Sequence, residues 1–156
     1  MIAPTDDIDR MMAVMEAAFP PEYGEAWNRR QLADALVLGN CTYGLIAPDG
    51  SDPAGEGVAV VGFYLARSVL DERELLLFAI HPGHRRKGLG HALLRKFIDT
   101  ARVDGMRRLF LEMRRGNPAG ALYAAHGFRM VGLRPAYYRA ANGSRLDAVS
   151  QELVLS

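Results

Sequence analysis

At 156 residues and 49% hydrophobic content, the chain has the size and apolar fraction of one domain built around a single core, and we read residues 1–156 that way. Nineteen basic and eighteen acidic residues leave a formal charge of +1, which excludes a global field for capturing nucleic acid or an anionic membrane, so any phosphate recognition has to be local. A lone cysteine, Cys41, excludes an internal disulfide and suits a reducing cytoplasm.

The first seven residues, Met1 to Asp7, are acidic where a secretion signal would be basic, and no apolar run approaches the ~20 residues that span a bilayer. A soluble, cytoplasmic protein is therefore expected. Ile8, Met11, Met12, Met15 and Phe19 recur at helical spacing behind Thr5 and Asp7, either of which suits an N-cap, and Pro20-Pro21 ends the helix. Asn28 followed by Gln31 marks a capping box for a second helix carrying Leu32, Ala35 and Leu36, closed by Gly39-Asn40. Three strand-like runs come next: Cys41 to Ala47, Gly57 to Arg67, and Arg73 to Ile80. They read as an antiparallel meander. The third, Leu75 to Ile80, is apolar without alternation, as a central strand covered on both faces would be.

Gly88 opens an amphipathic helix with Leu89, Leu93, Phe97 and Ala101 on one stripe and Gly105 beyond its end. Arg107 to Met113 is an apolar strand. Asn117-Pro118 caps a short helix that Gly127 terminates, and Phe128 to Arg139 with Arg145 to Leu155 form a hairpin around Asn142-Gly143. The order, two helices, a meander, then strand, helix, strand, helix and hairpin, predicts an α/β (α+β) fold: a mixed, mostly antiparallel sheet flanked by helices.

The junction from Ile80 to Gly90 joins a strand, a Gly-rich loop and a helix start, and the unpaired amides of a first helical turn attract anions. Gly88 and Gly90 keep side chains away from those amides, and Arg85, Arg86 and Lys87 add positive charge. A basic surface loop is the alternative. A P-loop is excluded because Lys87 precedes its glycine, and a dinucleotide fingerprint because position 93 is Leu. The run Arg85-Arg86-Lys87-Gly88-Leu89-Gly90 resembles the signature of the GNAT superfamily of acetyl-CoA-dependent N-acetyltransferases. Downstream, Leu111 to Arg114, Asn117, Leu122-Tyr123, Gly127-Phe128 and Tyr137-Tyr138 resemble its RimI-type branch, the ribosomal-protein-alanine N-acetyltransferases. The resemblance covers residues 75 to 155 well and the N-terminal half loosely. It implies two central strands that splay apart around the pantetheine, main-chain contacts from Phe78, Ala79 and Ile80, and a pyrophosphate cradle from Arg86 to His91.

Attack on a thioester needs a neutral amine, and an α-amino group (pKa ~7.7–8.0) gives up its proton at about 3.5 kcal/mol less cost than a lysine amine (~10.4). A terminal amine is the easier acceptor. Glu112 stands in an apolar strand near the carboxyl end of the sheet, where open α/β sheets hold ligands. It reads either as a general base or as a structural carboxylate paired with Arg114 or Arg115. Tyr123 reads as a proton donor to the leaving thiolate or as a packing residue. The resemblance assigns Glu112 as proton acceptor, Tyr123 as donor and Asn117 as a cofactor contact. RimI-type chains carry one more residue between that Asn and Tyr, a rotation of ~100° on a helix, which we expect to be absorbed near Pro118. Tyr137-Tyr138 are expected to line the acceptor groove, with Tyr23 and Trp27 on its other side. The four histidines lack metal-ligand spacing, so no metal is expected.

These readings predict acetyl transfer from acetyl-CoA, by direct attack in a ternary complex, to a peptide N-terminus, with a ribosomal protein as candidate substrate. Two alternatives stand beside it: acetylation of a small amine such as a polyamine or antibiotic, and a catalytically silent acyl-CoA-binding module.

Overall fold

A computed structural model of the chain describes residues 5–53, 58–85 and 87–155. The first helix, α1 (Thr5–Ala18), buries Met11 and Met15 completely. It already includes Thr5 and Asp7, so neither stands outside it as the cap; Asp7 instead accepts a hydrogen bond from the Tyr43 hydroxyl at 2.6 Å and pairs with Arg10. Prolines 20 and 21 stop the helix, a single 3-10 turn at Pro21–Tyr23 follows, and Gly24 leaves that turn in the left-handed region. In α2 (Arg29–Val37) the capping box forms: Gln31 N–H donates to Asn28 Oδ1 and Asn28 N–H to Gln31 Oε1, both at 2.8 Å.

Strands β1 (Cys41–Ile46), β2 (Gly62–Val69) and β3 (Glu72–Ile80) make the expected antiparallel meander. The second starts at Gly62 rather than Gly57, which lies outside the described residues. At Gly62 a Cβ would come within 2.5 Å of Ile80 Cδ1 and 2.9 Å of Ile46 Cγ2, so the ladder closes where a glycine lets three strands approach. Then come α3 (Leu89–Val103), β4 (Arg108–Arg114), α4 (Ala119–Ala125), β5 (Arg129–Arg139) and β6 (Arg145–Val154). The six strands lie in the order β1-β2-β3-β4-β6-β5, antiparallel except for β3 beside β4.

The sheet has helices on both faces. On one, Leu93, Phe97 and Ala101 of α3 pack with Tyr64, Ala66 and Leu75; on the other, Met11, Met15, Leu32 and Leu36 of α1 and α2 pack with Phe63, Leu65 and Leu77. Leu75 and Leu77 would share a face in a regular strand, yet they enter opposite cores. The register explains it: Ala66 opposes Leu75 and Leu65 opposes Leu77, so Leu76 is an extra residue, a β-bulge. The missing alternation in Leu75 to Ile80 is this bulge on a strand packed on both sides.

The bulge sits where β3 leaves β4. The parallel pairing runs only from Glu72↔Arg108 to Leu75↔Leu111, after which the strands diverge. Among the described residues no helix is long and apolar enough to cross a membrane.

Candidate active site

Beyond Leu75, β3 pairs through one edge with β2 as far as Ile80, while its other edge faces no strand among the described residues. Main-chain groups of Phe78, Ala79 and Ile80 therefore border a gap instead of a ladder, the arrangement an amide-bearing chain such as pantetheine would complete. Two clefts open from this gap. One, of about 520 Å³, runs from Phe78 to Ile80 past Arg85, Gly88, Gly90 and His91 to Asn117 and Tyr123. The other, of about 330 Å³, extends to Trp27, Glu112 and Tyr138. They share Phe19, Glu25, Phe78, Asn117 and Tyr123, so they meet at the mouth of the splay.

The first cleft ends at the start of α3. Gly88 is the N-cap, with φ +77°, and its carbonyl accepts from Ala92 N–H at 3.1 Å, which leaves the first-turn amides without helical acceptors. Nothing lies within 4 Å of where a Gly88 Cβ would be, so its glycine serves backbone conformation. At Gly90 a Cβ would come to 3.2 Å from Leu122 Cδ2, so this glycine also lets α3 and α4 approach. Arg85 is tied to the end of α1 by a hydrogen bond from Nη2 to the Ala18 carbonyl at 3.2 Å. Leu89 buries its side chain in the core, and only its amide belongs to the helix start. Lys87 is exposed and borders neither cleft, and Arg86 lies outside the described residues. His91 Nδ1 lies 2.9 Å from His126 Nε2, joining α3 to the end of α4.

At the junction, Asn117 caps α4: its Oδ1 accepts from Ala119 N–H at 2.9 Å, leaving its amide nitrogen for the cleft. Pro118 has helical angles (φ −58°, ψ −25°) and the helix then delivers Tyr123, so Asn117 and Tyr123 face the same space. Tyr123 is 6% exposed, its ring edge-on to Phe78 and tilted against Phe128, each with centroids 5.9 Å away. Burial, with the nearby Glu25 charge, pushes its phenol well above the ordinary range, so it remains protonated.

In the second cleft, Glu112 Oε2 accepts from Arg134 Nη2 at 2.7 Å and from Ser150 Oγ at 3.4 Å. Its arginine partner comes from β5 and is neither Arg114 nor Arg115. Arg114 is occupied by Glu25 (Nε to Oε1, 3.2 Å) and lies 3.7 Å over the Tyr23 ring, while Arg115 pairs with Asp147 at 3.3 Å. Trp27 and Tyr138 line this cleft; Tyr23 and Tyr137 do not. Each of those two rings instead carries a guanidinium that holds a cleft carboxylate: Tyr23 carries Arg114, and Tyr137 carries Arg134 at 4.4 Å. Burial, then the charges of Glu112 and Glu25, push the Tyr138 phenol up to about 12.

Sequence reasoning missed Glu25, Phe19 and Arg114 as cleft residues. The only local signal was a carboxylate between Gly24 and Trp27 in the loop after Pro20-Pro21, and nothing in its spacing points to β4. Among the described residues, no group of three or more His, Cys, Asp or Glu is placed to hold a metal.

The sequence profile of the Acetyltransferase (GNAT) family matches residues 8–128. The chain is 38% identical over 94 residues to the [ribosomal protein bS18]-alanine N-acetyltransferase of Haemophilus influenzae, covering 60% of this chain and 64% of that protein. It is 39% identical over 98 residues to the enzyme of the same name from Escherichia coli K12, covering 62% and 66%. The chain thus spans just under two thirds of these relatives' length. The fold is similar, over 100% of this chain and 92% of the other, to the crystal structure of the Escherichia coli ribosomal-protein-S18-alanine N-acetyltransferase, with a TM-score of 0.80 and 28% identity.

Proposed function

Because the chain belongs to the GNAT acetyltransferase family, we propose that it transfers the acetyl group of acetyl-CoA to the N-terminal α-amine of a protein, by direct attack in a ternary complex. The names of its relatives point to a ribosomal protein beginning with alanine as the acceptor, in the cytoplasm where ribosomes are made. One observation carries the reading: two clefts, one ending at a helix N-terminus and the other at carboxylates and aromatic rings, meet where β3 and β4 part.

In this reading the first-turn amides of α3, with Arg85 on the same cleft, hold the pyrophosphate. The free edge of β3 from Phe78 to Ile80 and the Asn117 amide nitrogen hold the pantetheine. Acetyl-CoA supplies the activated acyl group. Glu112 takes the proton from the acceptor amine, directly or through one water, and Tyr123 gives its proton to the departing thiolate. Trp27 and Tyr138 form the acceptor walls. Direct transfer is favoured over an acyl-enzyme because Cys41 borders neither cleft and burial pushes its thiol up.

Release of coenzyme A measured with short peptides differing in their first two residues, alongside free lysine and spermidine, tests the proposal. Turnover that depends on the first residue of the peptide is expected; turnover with the small amines alone would refute a protein acceptor. Glu25 and Glu112 together on the acceptor cleft are the observation that favours a small cationic amine as the second reading. The same panel separates the two.

A further inference from the structure

We propose that Glu25 is the acceptor-binding carboxylate of this site: it receives the protonated amine where the two clefts meet, across from Glu112, before that amine is deprotonated. The proposal rests on the acetyltransferase reading above and adds the residue that captures the acceptor.

The species that must be captured is a cation. An α-amine with a pKa of ~7.7–8.0 arrives mostly protonated at neutral pH, and in a cleft partly shielded from water an ammonium needs a carboxylate or an aromatic face as counterpart. The acceptor cleft has two acidic side chains among its described lining residues, Glu25 and Glu112, and Glu25 also borders the cofactor cleft. An ammonium on Glu25 therefore lies next to where the acyl group would sit, with the Trp27 ring as a second wall.

Glu25 is also held in advance. Its side chain is 15% exposed, and Arg114 Nε binds Oε1 at 3.2 Å while that guanidinium rests on Tyr23, so the loop after α1 is tied to β4 at the cleft. Among the described residues no other hydrogen bond reaches Glu25, which leaves Oε2 for a ligand. Glu112 receives both its partners, Arg134 and Ser150, on a single oxygen. The two carboxylates thus divide the work: Glu25 docks the charged amine and Glu112 removes its proton.

A structural role for Glu25, tying down the loop through Arg114, is separable from charge docking. The test is calorimetric binding, in the presence of coenzyme A, of a hexapeptide with N-terminal alanine and of its desamino counterpart, which has the same chain but no ammonium. In wild type the amino peptide should bind at least tenfold tighter than the desamino one. In Glu25→Gln that preference should fall to about twofold, with desamino affinity and coenzyme A affinity unchanged, and Glu25→Asp should restore part of it. Equal weakening of both peptides in Glu25→Gln would overturn the proposal in favour of a structural role, and no change in either would overturn it outright. Turnover of the amino peptide by wild type reports separately on the acetyltransferase reading: its absence would refute that reading, whatever the binding preference.

Discussion

Replacing Tyr123 with phenylalanine separates chemistry from packing more cleanly than any other change in this site. The ring is 6% exposed and its contacts with Phe78 and Phe128, each 5.9 Å between centroids, depend on the ring and not on the hydroxyl. Loss of the oxygen alone should alter stability by no more than about 1 kcal/mol, a shift of roughly 2–4 °C in Tm for a chain of this size. Loss of a positioned proton donor costs about 10²–10⁴-fold in rate, or roughly 2.7–5.4 kcal/mol at 1.36 kcal/mol per decade. Burial raises the phenol, so the donor stays protonated across the working pH range and the deficit of Tyr123→Phe should be the same at every pH below about 9. Coenzyme A release at saturating substrates, followed with a thiol reagent, should show kcat reduced at least a hundredfold, with KM for both substrates and Tm nearly unchanged. A variant that keeps kcat within threefold of wild type would refute the role of Tyr123 as acid. A variant that loses kcat and several degrees of Tm together would show that the hydroxyl serves the fold.

Three further outcomes are expected. Glu112→Gln, which can still bond to Arg134 and Ser150, should lower kcat about a hundredfold while acetyl-CoA affinity stays within twofold; a pH–rate profile of unchanged shape would refute its role as base. Gly88→Ala forces a side chain into a left-handed backbone (φ +77°) at about 1–2 kcal/mol, with no clash to add to it. It should weaken acetyl-CoA binding by calorimetry and leave kcat at saturation intact, and an unchanged Kd would remove the helix start from the cofactor site. His126 is held below its ordinary value by burial, then by His91 and Arg95, so the folded state favours its neutral form. That stability is present above the unfolded-state pKa of about 6.5 and is lost as pH falls through the lower folded value. Melting between pH 7 and 5 should therefore show a smaller loss of Tm in His126→Gln than in wild type, and parallel curves would refute the assignment.

Local patterns carried most of the fold. The capping box at Asn28 and Gln31, the helix-ending glycines at 39, 105 and 127, and the apolar stripe of α3 are each written within a few residues and formed as read. The turn at Gly88 was legible for the same reason. What escaped were relations across the chain. Glu25 is held at the cleft by Arg114, 89 positions away, and Glu112 meets Arg134 across the sheet, where β5 lies beyond β6. Side chains with several candidate partners cannot be paired from spacing; strand order decides, and strand order is a long-range property. Tyr23 and Tyr137 show this most sharply. Sequence suggested rings facing the acceptor, whereas each has its face taken by an arginine.

The bulge at Leu76 links these levels. An extra residue turns β3 so that Leu75 serves one core and Leu77 the other, which bends the strand and increases its twist. Pairing with β4 stops at Leu75, one position before the bulge, and the edge from Phe78 to Ile80 is left to face Tyr123 across the gap. A regular strand would have zipped onto β4 for several more residues, closing the place where both clefts meet and satisfying those amides within the sheet. One inserted residue therefore stabilises two cores and withholds a stretch of backbone from the ladder. The candidate site lies where the sheet is least complete, and a ligand that pairs with main chain would find there main chain that the fold has left unpaired.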